Sequence, residues 1–232
     1  IVLVTGVQTC ALPILFFKGC PLHCTWCHNP ETQCYNPEVE FDSEKCVGCG
    51  SCIRVCHTEA ISIVDGKAFT DSNKCDRCDK CGKMCPSSAR RVMGKDYEPK
   101  VLVKELMKDL MFYEESGGGV TLSGGEVMMM DIDYLLAIAK ELKRNGISLF
   151  IDTCGYVPYE RLSKILPYTD TFLYDLKCMD DELHKKYTGV SNEKILDNLA
   201  RLSKDGARIY VRIPVIKERS EEHTSELQSP VL

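Results

Sequence analysis

After residue 100, segments in which hydrophobic residues have helical spacing alternate with short apolar runs typical of strands. Residues 101–115 carry Leu102, Leu106 and Leu110 at four-residue spacing, which predicts a helix with one apolar face. A Ser-Gly-Gly-Gly sequence ends that helix, because glycine disfavours helical continuation. The short apolar run VTLS at 120–123 then predicts a strand. One helix followed by one strand is therefore the first unit of the pattern.

The same alternation continues toward the end of the chain. Predicted helices cover residues 132–145, 158–166, 179–187 and 191–204, and predicted strands cover 15–18, 120–123, 147–151, 171–174 and 208–215. Strands that alternate with helices favour a parallel sheet or barrel. The sequence therefore predicts an α/β fold.

Polar residues follow the predicted strands. In parallel α/β barrels such residues lie together at the carboxyl edge, where active sites form. The set comprises the cysteine loop after the first strand, Gly124, Gly125 and Glu126 after the second, Asp152 and Thr153 after the third, and Asp175, Leu176 and Lys177 after the fourth. We expect all of them on one face.

The two ends of the chain are encoded by one oligonucleotide sequence. Residues 5–14, TGVQTCALPI, back-translate to a sequence whose reverse complement encodes RSEEHTSELQ, which is found at 219–228. A shared sequencing adapter read on opposite strands explains ten matched codons better than natural extensions do. We therefore expect residues 1–14 and 219–232 to be adapter-derived.

Composition excludes several classes of protein. The chain has a formal charge of −5 and 44% hydrophobic residues, which is typical of a globular protein. No lysine- or arginine-rich block suggests a nucleic-acid partner, and no apolar run has membrane-spanning length. We therefore expect neither a nucleic-acid nor a membrane partner.

Cysteine is strongly over-represented, and twelve of the fifteen cysteines fall within residues 20–85. Cys20, Cys24 and Cys27 form a C-x3-C-x2-C loop that offers three ligands, whereas a closed metal site needs four. A long α/β pattern follows these cysteines, so metal ligation in a reducing compartment is favoured over a disulfide scaffold. Cys34, Cys154 and Cys178 are expected to pack as small apolar residues.

The other eight clustered cysteines form two C-x2-C-x2-C-x3-C runs, as in two-cluster bacterial ferredoxins. In that arrangement three cysteines of each run hold one [4Fe-4S] cluster and the fourth crosses to the other. The expected sets are Cys46, Cys49, Cys52 and Cys85 for one cluster, and Cys75, Cys78, Cys81 and Cys56 for the other. A pair of zinc knuckles is the alternative, but zinc sites space their cysteine pairs farther apart.

The sequence GCPLHCTWCHNPE, together with GGGVTLSGGE, resembles radical S-adenosylmethionine enzymes, and specifically the glycyl-radical-enzyme activating proteins of the pyruvate formate-lyase activating enzyme family. The two ferredoxin-type runs resemble a subgroup whose partners are mostly dehydratases, decarboxylases and lyases. The resemblance implies a partial (βα)6 TIM-like radical SAM barrel, truncated at both ends, with an inserted ferredoxin-like domain. The implied domains are 15–40 and 96–218 for the barrel and 41–95 for the insert.

The resemblance also implies a mechanism and three [4Fe-4S] clusters. Cys20, Cys24 and Cys27 would hold three irons of one cluster, and S-adenosylmethionine (SAM) would occupy the fourth. An electron from that cluster would cleave SAM to methionine and a 5′-deoxyadenosyl radical. That radical would abstract a hydrogen atom from a glycine of the partner enzyme.

Individual residues match positions that bind SAM in the family. Trp26 and His28 resemble contacts to the adenosyl portion, and Gly124, Gly125 and Glu126 resemble the motif that receives the amino group. Asp152 resembles a ribose contact and, with Thr153 and Asp175, a possible site for a monovalent cation. Lys177, beside Leu176, resembles the cation that meets the carboxylate. Arg212 matches a polar residue that faces the barrel interior.

Partners follow from the same resemblance. A glycyl radical enzyme would be the protein substrate, and a flavodoxin or ferredoxin would be the reductant, in the cytoplasm of an anaerobic bacterium. Two alternatives stay open at the level of sequence. One is a radical SAM enzyme that acts on a small molecule or peptide, and the other is a ferredoxin-type electron carrier.

Overall fold

Nine strands and eight helices occupy residues 13–214, the part of the chain that this computed structural model describes. The strands are β1 (Ile14–Phe17), β2 (Glu38–Phe41), β3 (Ile61–Val64), β4 (Lys67–Thr70), β5 (Arg90–Met93), β6 (Gly119–Gly124), β7 (Ser148–Thr153), β8 (Thr171–Asp175) and β9 (Ile209–Arg212). The helices are α1 (Ser51–Val55), α2 (Lys80–Lys83), α3 (Pro99–Leu106), α4 (Leu110–Ser116), α5 (Ile132–Arg144), α6 (Tyr159–Ile165), α7 (Asp181–Thr188) and α8 (Glu193–Lys204). The tails expected to be adapter-derived lie outside the described residues, apart from the residues at 13 and 14.

The chain divides into two units. Asn36–Lys95 forms one, and the described residues before and after it form the other, here called the sheet unit. The insert predicted at 41–95 falls within the first of these, and its finer boundaries stay a prediction. None of the described helices is both long enough and apolar enough to cross a membrane.

The sheet unit is built on five parallel strands in the order β1-β6-β7-β8-β9. The α/β prediction with a parallel sheet is confirmed. Phe17 pairs with Gly124, Thr153 pairs with Tyr174, and Asp175 pairs with Arg212. Because all five strands run in the same direction, their carboxyl ends share one edge of the sheet.

Helices bury apolar faces against this sheet. In α5, Leu135, Ile138, Ala139 and Leu142 are all inaccessible to solvent, at the spacing of one helix face. Burying one leucine or isoleucine side chain contributes about 1.5–3 kcal/mol, so this face holds α5 firmly in place. Asp131 caps the helix, because its Oδ1 accepts a hydrogen bond of 2.8 Å from the Tyr134 N–H.

One predicted helix is broken. The expected helix over 101–115 is two helices, α3 and α4, separated by a 3₁₀ turn at Met107–Asp109. The apolar face is preserved, since Leu102 and Leu106 are buried. The break lets the Tyr113 ring become buried while its hydroxyl donates a hydrogen bond of 2.8 Å to the Leu106 carbonyl. Apolar periodicity cannot predict such a turn, because a side-chain hydroxyl supplies the alternative partner for the backbone.

The unit of residues 36–95 is internally doubled. Strand β2 pairs antiparallel with β5, and β3 pairs antiparallel with β4. Helices α1 and α2 occupy equivalent places in the two halves. Left-handed backbone recurs at matching positions of the two cysteine runs: Gly48 and Arg77, Gly50 and Asp79, and Glu59 and Ser88. The repeated sequence spacing therefore has a repeated backbone conformation.

Candidate active site and cysteine clusters

A cavity of about 460 Å³ lies at the carboxyl edge of the parallel sheet. That volume falls in the range of small-molecule sites. Its walls include most of the residues predicted to bind SAM or its cluster: Cys20, Cys24, Trp26, Cys27, His28, Gly124, Gly125, Asp152, Thr153, Asp175, Lys177 and Arg212. The geometry thus brings the predicted set together, except for Glu126 and Leu176.

The cysteine loop is held by backbone contacts on both sides. Gly19 N–H donates a hydrogen bond of 2.7 Å to the Thr32 carbonyl. From helix α7, the Thr188 carbonyl accepts from His23 N–H at 2.8 Å, and the Tyr187 carbonyl accepts from Thr25 N–H at 3.0 Å. Helix α7 therefore holds the backbone between the cysteines in place.

Burial sets the electrostatics of the loop thiols. Burial raises the pKa of Cys20 to about 12 and also raises the pKa of Cys24, although the nearby Lys177 charge opposes the second shift. Thiolates in such a place need a positive charge to compensate for their desolvation. Iron would supply that charge, and three cysteines that line one cavity are a donor set that suits an iron–sulfur cluster. The residues therefore fit a cluster with one open coordination position.

Gly124 and Gly125 pack closely against the first strand and its loop. A Cβ at Gly124 would lie 2.2 Å from the Phe17 backbone, and a Cβ at Gly125 would lie 2.3 Å from the Gly19 carbonyl oxygen. Gly124 also has a φ of +118°, which disfavours other residues. These glycines therefore serve the contact between two strand ends as well as lining the cavity.

Glu126 lies outside the cavity wall and is completely buried. Its Oε1 accepts hydrogen bonds from Thr153 Oγ1 at 2.7 Å and from Met128 N–H at 3.0 Å, and its Oε2 accepts from Cys154 N–H at 2.7 Å. Burial raises the pKa of Glu126, while these hydrogen bonds oppose the rise. The carboxylate joins the ends of β6 and β7. Its predicted contact with the SAM amino group stays a prediction.

Four charged residues form a connected network at the ends of β7, β8 and β9. Lys177 Nζ lies 2.6 Å from Asp175 Oδ2, and Arg212 Nε donates to Asp175 Oδ1 at 2.8 Å. The same Arg212 guanidinium forms an ion pair with Asp152 through Nη2. Burial raises the pKa of Asp152, the Asp175 charge adds to the rise, and Arg212 opposes it. Arg212 therefore bridges the two carboxylates that the sequence assigned to a monovalent cation.

Of the remaining predicted residues, Trp26 lines the cavity and Leu176 lies in the core. The Trp26 ring lies 5.7 Å from the Tyr187 ring, centroid to centroid, so α7 also supports this wall. Leu176 is buried and does not line the cavity.

The sequence interpretation missed several cavity residues: Leu22, Asn29, Thr32, Ser123, Cys154 and Pro214. Ser123 lies at the carboxyl end of β6 and donates to Asp152 Oδ2 at 2.7 Å, so its place at the end of the predicted strand could have indicated it. Cys154 is buried as expected, yet it also lines the cavity.

The unit of residues 36–95 brings one predicted cysteine set together. Cys46, Cys49, Cys52 and Cys85 line a common small cavity. The fourth cysteines of the two runs have matching surroundings: Cys85 Sγ accepts from Ala89 N–H, and Cys56 Sγ accepts from Ala60 N–H, both at 3.3 Å. Backbone N–H groups directed at cysteine sulfur are typical of iron–sulfur sites.

Known proteins match the chain over most of its length. The Radical SAM superfamily profile matches residues 72–229, and a 4Fe-4S binding domain profile matches residues 39–62. The trans-4-hydroxy-L-proline dehydratase activating enzyme of Clostridioides difficile is 48% identical over 221 residues, which cover 92% of this chain and 73% of that enzyme. This chain belongs to the glycyl-radical-enzyme activating enzymes.

Other activating enzymes give the same result. The choline trimethylamine-lyase activating enzyme of Oleidesulfovibrio alaskensis is 42% identical, over 91% of this chain and 68% of that enzyme. The (2S)-3-sulfopropanediol dehydratase activating enzyme of Klebsiella oxytoca is 38% identical, over 90% of this chain and 67% of that enzyme. The chain is therefore a radical SAM enzyme that uses [4Fe-4S] and SAM to activate a glycyl radical enzyme. The alternatives of a small-molecule radical enzyme and a ferredoxin are set aside.

Proposed function

We propose that this activating enzyme holds three [4Fe-4S] clusters and binds SAM in the sheet-edge cavity. The observation that carries the proposal is the cavity itself, since three cysteines, an aromatic ring and two pairs of opposite charges all border one space of about 460 Å³. When bound, the cluster and SAM together supply one-electron cleavage of a sulfonium and abstraction of a hydrogen atom.

The protein residues position the reactants and exclude water. Cys20, Cys24 and Cys27 would hold the cluster, and Lys177 would meet the SAM carboxylate. Trp26 and His28, on the loop beside the cysteines, would contact the adenosyl portion. Asp152 would accept from the ribose. Glu126 would act from behind the cavity, because its contacts hold Thr153 and the Cys154 backbone in place.

Two further clusters would be held by the doubled cysteine runs. Cys46, Cys49, Cys52 and Cys85 would hold one, and Cys75, Cys78, Cys81 and Cys56 would hold the other. The common cavity of the first set and the matched surroundings of the two fourth cysteines support this crossed assignment. A flavodoxin or ferredoxin would deliver the electrons.

A monovalent cation at Asp152, Thr153 and Asp175 belongs to the same proposal. It has a competitor in the Arg212 guanidinium, which already bridges both carboxylates. A cation would therefore bind these carboxylates either in place of the Arg212 guanidinium or beside it.

The partner would be a glycyl radical enzyme of the dehydratase, decarboxylase or lyase type, and the names of the relatives support the dehydratase and lyase types. The site of action would be the cytoplasm of an anaerobic bacterium, because fourteen free cysteines in the described residues suit a reducing compartment.

Anaerobic reconstitution tests the proposal. The protein is expected to carry about twelve irons, four for each cluster. With reductant and SAM it should form methionine and 5′-deoxyadenosine, and with a matching partner it should produce a glycyl radical visible by EPR. A Cys24→Ser variant should lose SAM cleavage, whereas Cys34→Ser should retain it.

Two results would contradict parts of the proposal separately. An iron content of about four would refute the auxiliary clusters but leave the sheet-edge site intact. SAM cleavage without a glycyl radical on any dehydratase, decarboxylase or lyase tested would refute the partner class alone.

A further inference from the structure

Arg90, the first residue of β5, is an unusual buried cation. Its side chain is 3% exposed, and Nη2 donates to Thr70 Oγ1. The Nε and Nη1 atoms are also buried, but neither has a hydrogen-bond partner in the described residues. A guanidinium is a cation with five N–H donors and no acceptor, so each of its nitrogen atoms needs an acceptor when it is buried.

The surroundings of Arg90 supply little compensation. A buried donor without a partner costs about 1–3 kcal/mol, and more when it is charged. The Phe41 ring lies 5.8 Å from the guanidinium carbon, which offers a weak cation–π contact. No carboxylate among the described residues forms an ion pair with this guanidinium, although Glu40, Asp42 and Asp79 border another cavity that Arg90 also lines.

The cysteine sets supply the missing acceptors. Arg90 lines the same small cavity as Cys46, Cys49, Cys52 and Cys85. Thiolate and sulfide groups of an iron–sulfur cluster are anionic acceptors, so a cluster fits the unpaired N–H groups of this side chain.

Arg90 differs from the residue at the matching position in the other half of the internal repeat. Ala60 and Ala89 occupy matching places, since each donates its N–H to the fourth cysteine of its run at 3.3 Å. The next residue is Ile61 in the first run and Arg90 in the second, and both are buried. One half of the unit thus presents an aliphatic side chain where the other presents a cation.

We propose that Arg90 is a positioning residue for the cluster held by Cys46, Cys49, Cys52 and Cys85: its free N–H groups donate to the sulfur atoms of that cluster and raise its reduction potential. The inference rests on the cluster ligation proposed above. Reduction adds one electron, and therefore one negative charge, to the cluster, so a neighbouring fixed cation favours the reduced form. The two auxiliary clusters should accordingly have unequal potentials, because Ile61 carries no charge.

Redox titration followed by EPR tests the proposal on the anaerobically reconstituted protein, with dithionite as the source of the electron. Arg90→Met removes the charge and leaves an apolar side chain, similar to the natural Ile61. Arg90→Gln removes the charge but keeps an amide donor for Thr70. Arg91→Met is the matched control, because Arg91 is the next residue and pairs with Glu40 at the surface.

Both neutral variants should lower the equilibrium constant for reduction of one auxiliary cluster at least tenfold, which is 59 mV for a one-electron couple. The control should leave both potentials unchanged. A role limited to the hydrogen bond with Thr70 predicts unchanged potentials in a correctly loaded Arg90→Met protein, and that result would overturn the proposal. If the Arg90→Met protein fails to bind iron, unchanged potentials in the Arg90→Gln protein would overturn the proposal in the same way.

Different results would refute the cluster ligation and the role of Arg90. An unmodified protein without auxiliary EPR signals would refute the cluster ligation. Auxiliary signals that are present in all variants, with identical potentials, would refute only the role of Arg90.

Discussion

Glu126 directs its acceptors at the neighbouring strand rather than at the cavity. Both oxygens receive protein donors, and the side chain is inaccessible to solvent. A residue that follows Gly-Gly in a family motif can therefore act through the backbone it holds. For this chain the groups held are the Thr153 hydroxyl and the Cys154 backbone, and both residues line the cavity.

Replacing Glu126 by glutamine should destabilise the protein. The amide has one acceptor oxygen instead of two, so its NH₂ group would face a donor and leave at least one buried N–H or O–H unpaired. We expect a loss of about 1–3 kcal/mol in the free energy of unfolding, measured by denaturant titration. Glu141→Gln is the control, because Glu141 pairs with Arg144 at the surface and should change stability by less than about 0.5 kcal/mol. Equal effects in the two variants would contradict this account of Glu126.

Arg212 allows a test of the monovalent cation. Without its guanidinium, Asp152 and Asp175 would lose their shared cation, although Lys177 would still pair with Asp175. Loss of one charge-assisted hydrogen bond costs about 1.5–3 kcal/mol, so Arg212→Met should weaken SAM binding at least about tenfold.

Potassium should restore part of this affinity in Arg212→Met, measured by calorimetry at constant ionic strength with choline as the replacement ion. Arg208→Met is the control, because Arg208 stacks on Tyr210 and donates to its hydroxyl. If potassium affects the unmodified protein as strongly as Arg212→Met, the cation binds beside Arg212 rather than in its place.

The contact between β6 and the cysteine loop is the element that positions the loop proposed to hold the SAM-linked cluster. Gly125 N–H donates to the Phe17 carbonyl and Glu126 N–H donates to the Gly19 carbonyl, both at 2.8 Å. A side chain at Gly125 would meet backbone atoms of Gly19 and Thr32, which cannot move without displacing the loop.

Gly125→Ala should therefore separate the loop from the sheet. Overpacking of this kind costs about 1–3 kcal/mol, and we expect the EPR signal of the SAM-linked cluster to fall several-fold. Gly117→Ala provides the control: Gly117 has a φ of +64° and open space around it, so alanine there adds backbone strain without a clash. A cluster signal in Gly125→Ala equal to that of Gly117→Ala would contradict the close-contact argument.

The bounds of a helix were predicted well where local sequence features alone set them. The apolar face of α5 and the Asn145-Gly146 sequence after it gave bounds within two residues of those observed, because burial and helix termination act at the same positions. The α3–α4 break was not predictable from apolar periodicity, which carries no information on the hydrogen bond that the Tyr113 hydroxyl donates to the Leu106 carbonyl.

The same distinction holds for the site. Asp152, Asp175 and Lys177 were predictable because each lies at or just after the carboxyl end of a parallel strand, and the parallel sheet brings these ends to one edge. The burial of Glu126 and the bridging role of Arg212 depend on which side chains meet after folding. Arg90 gave no signal in the sequence, because what distinguishes it is a buried guanidinium whose Nε and Nη1 have no hydrogen-bond partner in the described residues.

At the scale of the whole molecule, two cysteine-rich parts of different chemistry share one chain. The loop of Cys20, Cys24 and Cys27 offers three ligands, whereas each auxiliary set offers four. A cluster with four protein ligands has no open position for SAM, so electron transfer is the chemistry that remains for it. We therefore expect the auxiliary clusters to relay electrons from the external reductant.

Replacing one exposed ligand in each set, Cys49→Ser and Cys78→Ser together, tests this relay. We expect formation of methionine and 5′-deoxyadenosine to slow at least about tenfold with reduced flavodoxin, because the donor would lose its entry path. The rate with dithionite should change less, since a small reductant reaches the SAM-linked cluster directly. Cys34→Ser is the control for loss of a half-buried thiol outside the three sets. Equal slowing with both reductants would instead assign the auxiliary clusters a structural role, and an unchanged rate with flavodoxin would exclude them from the electron path.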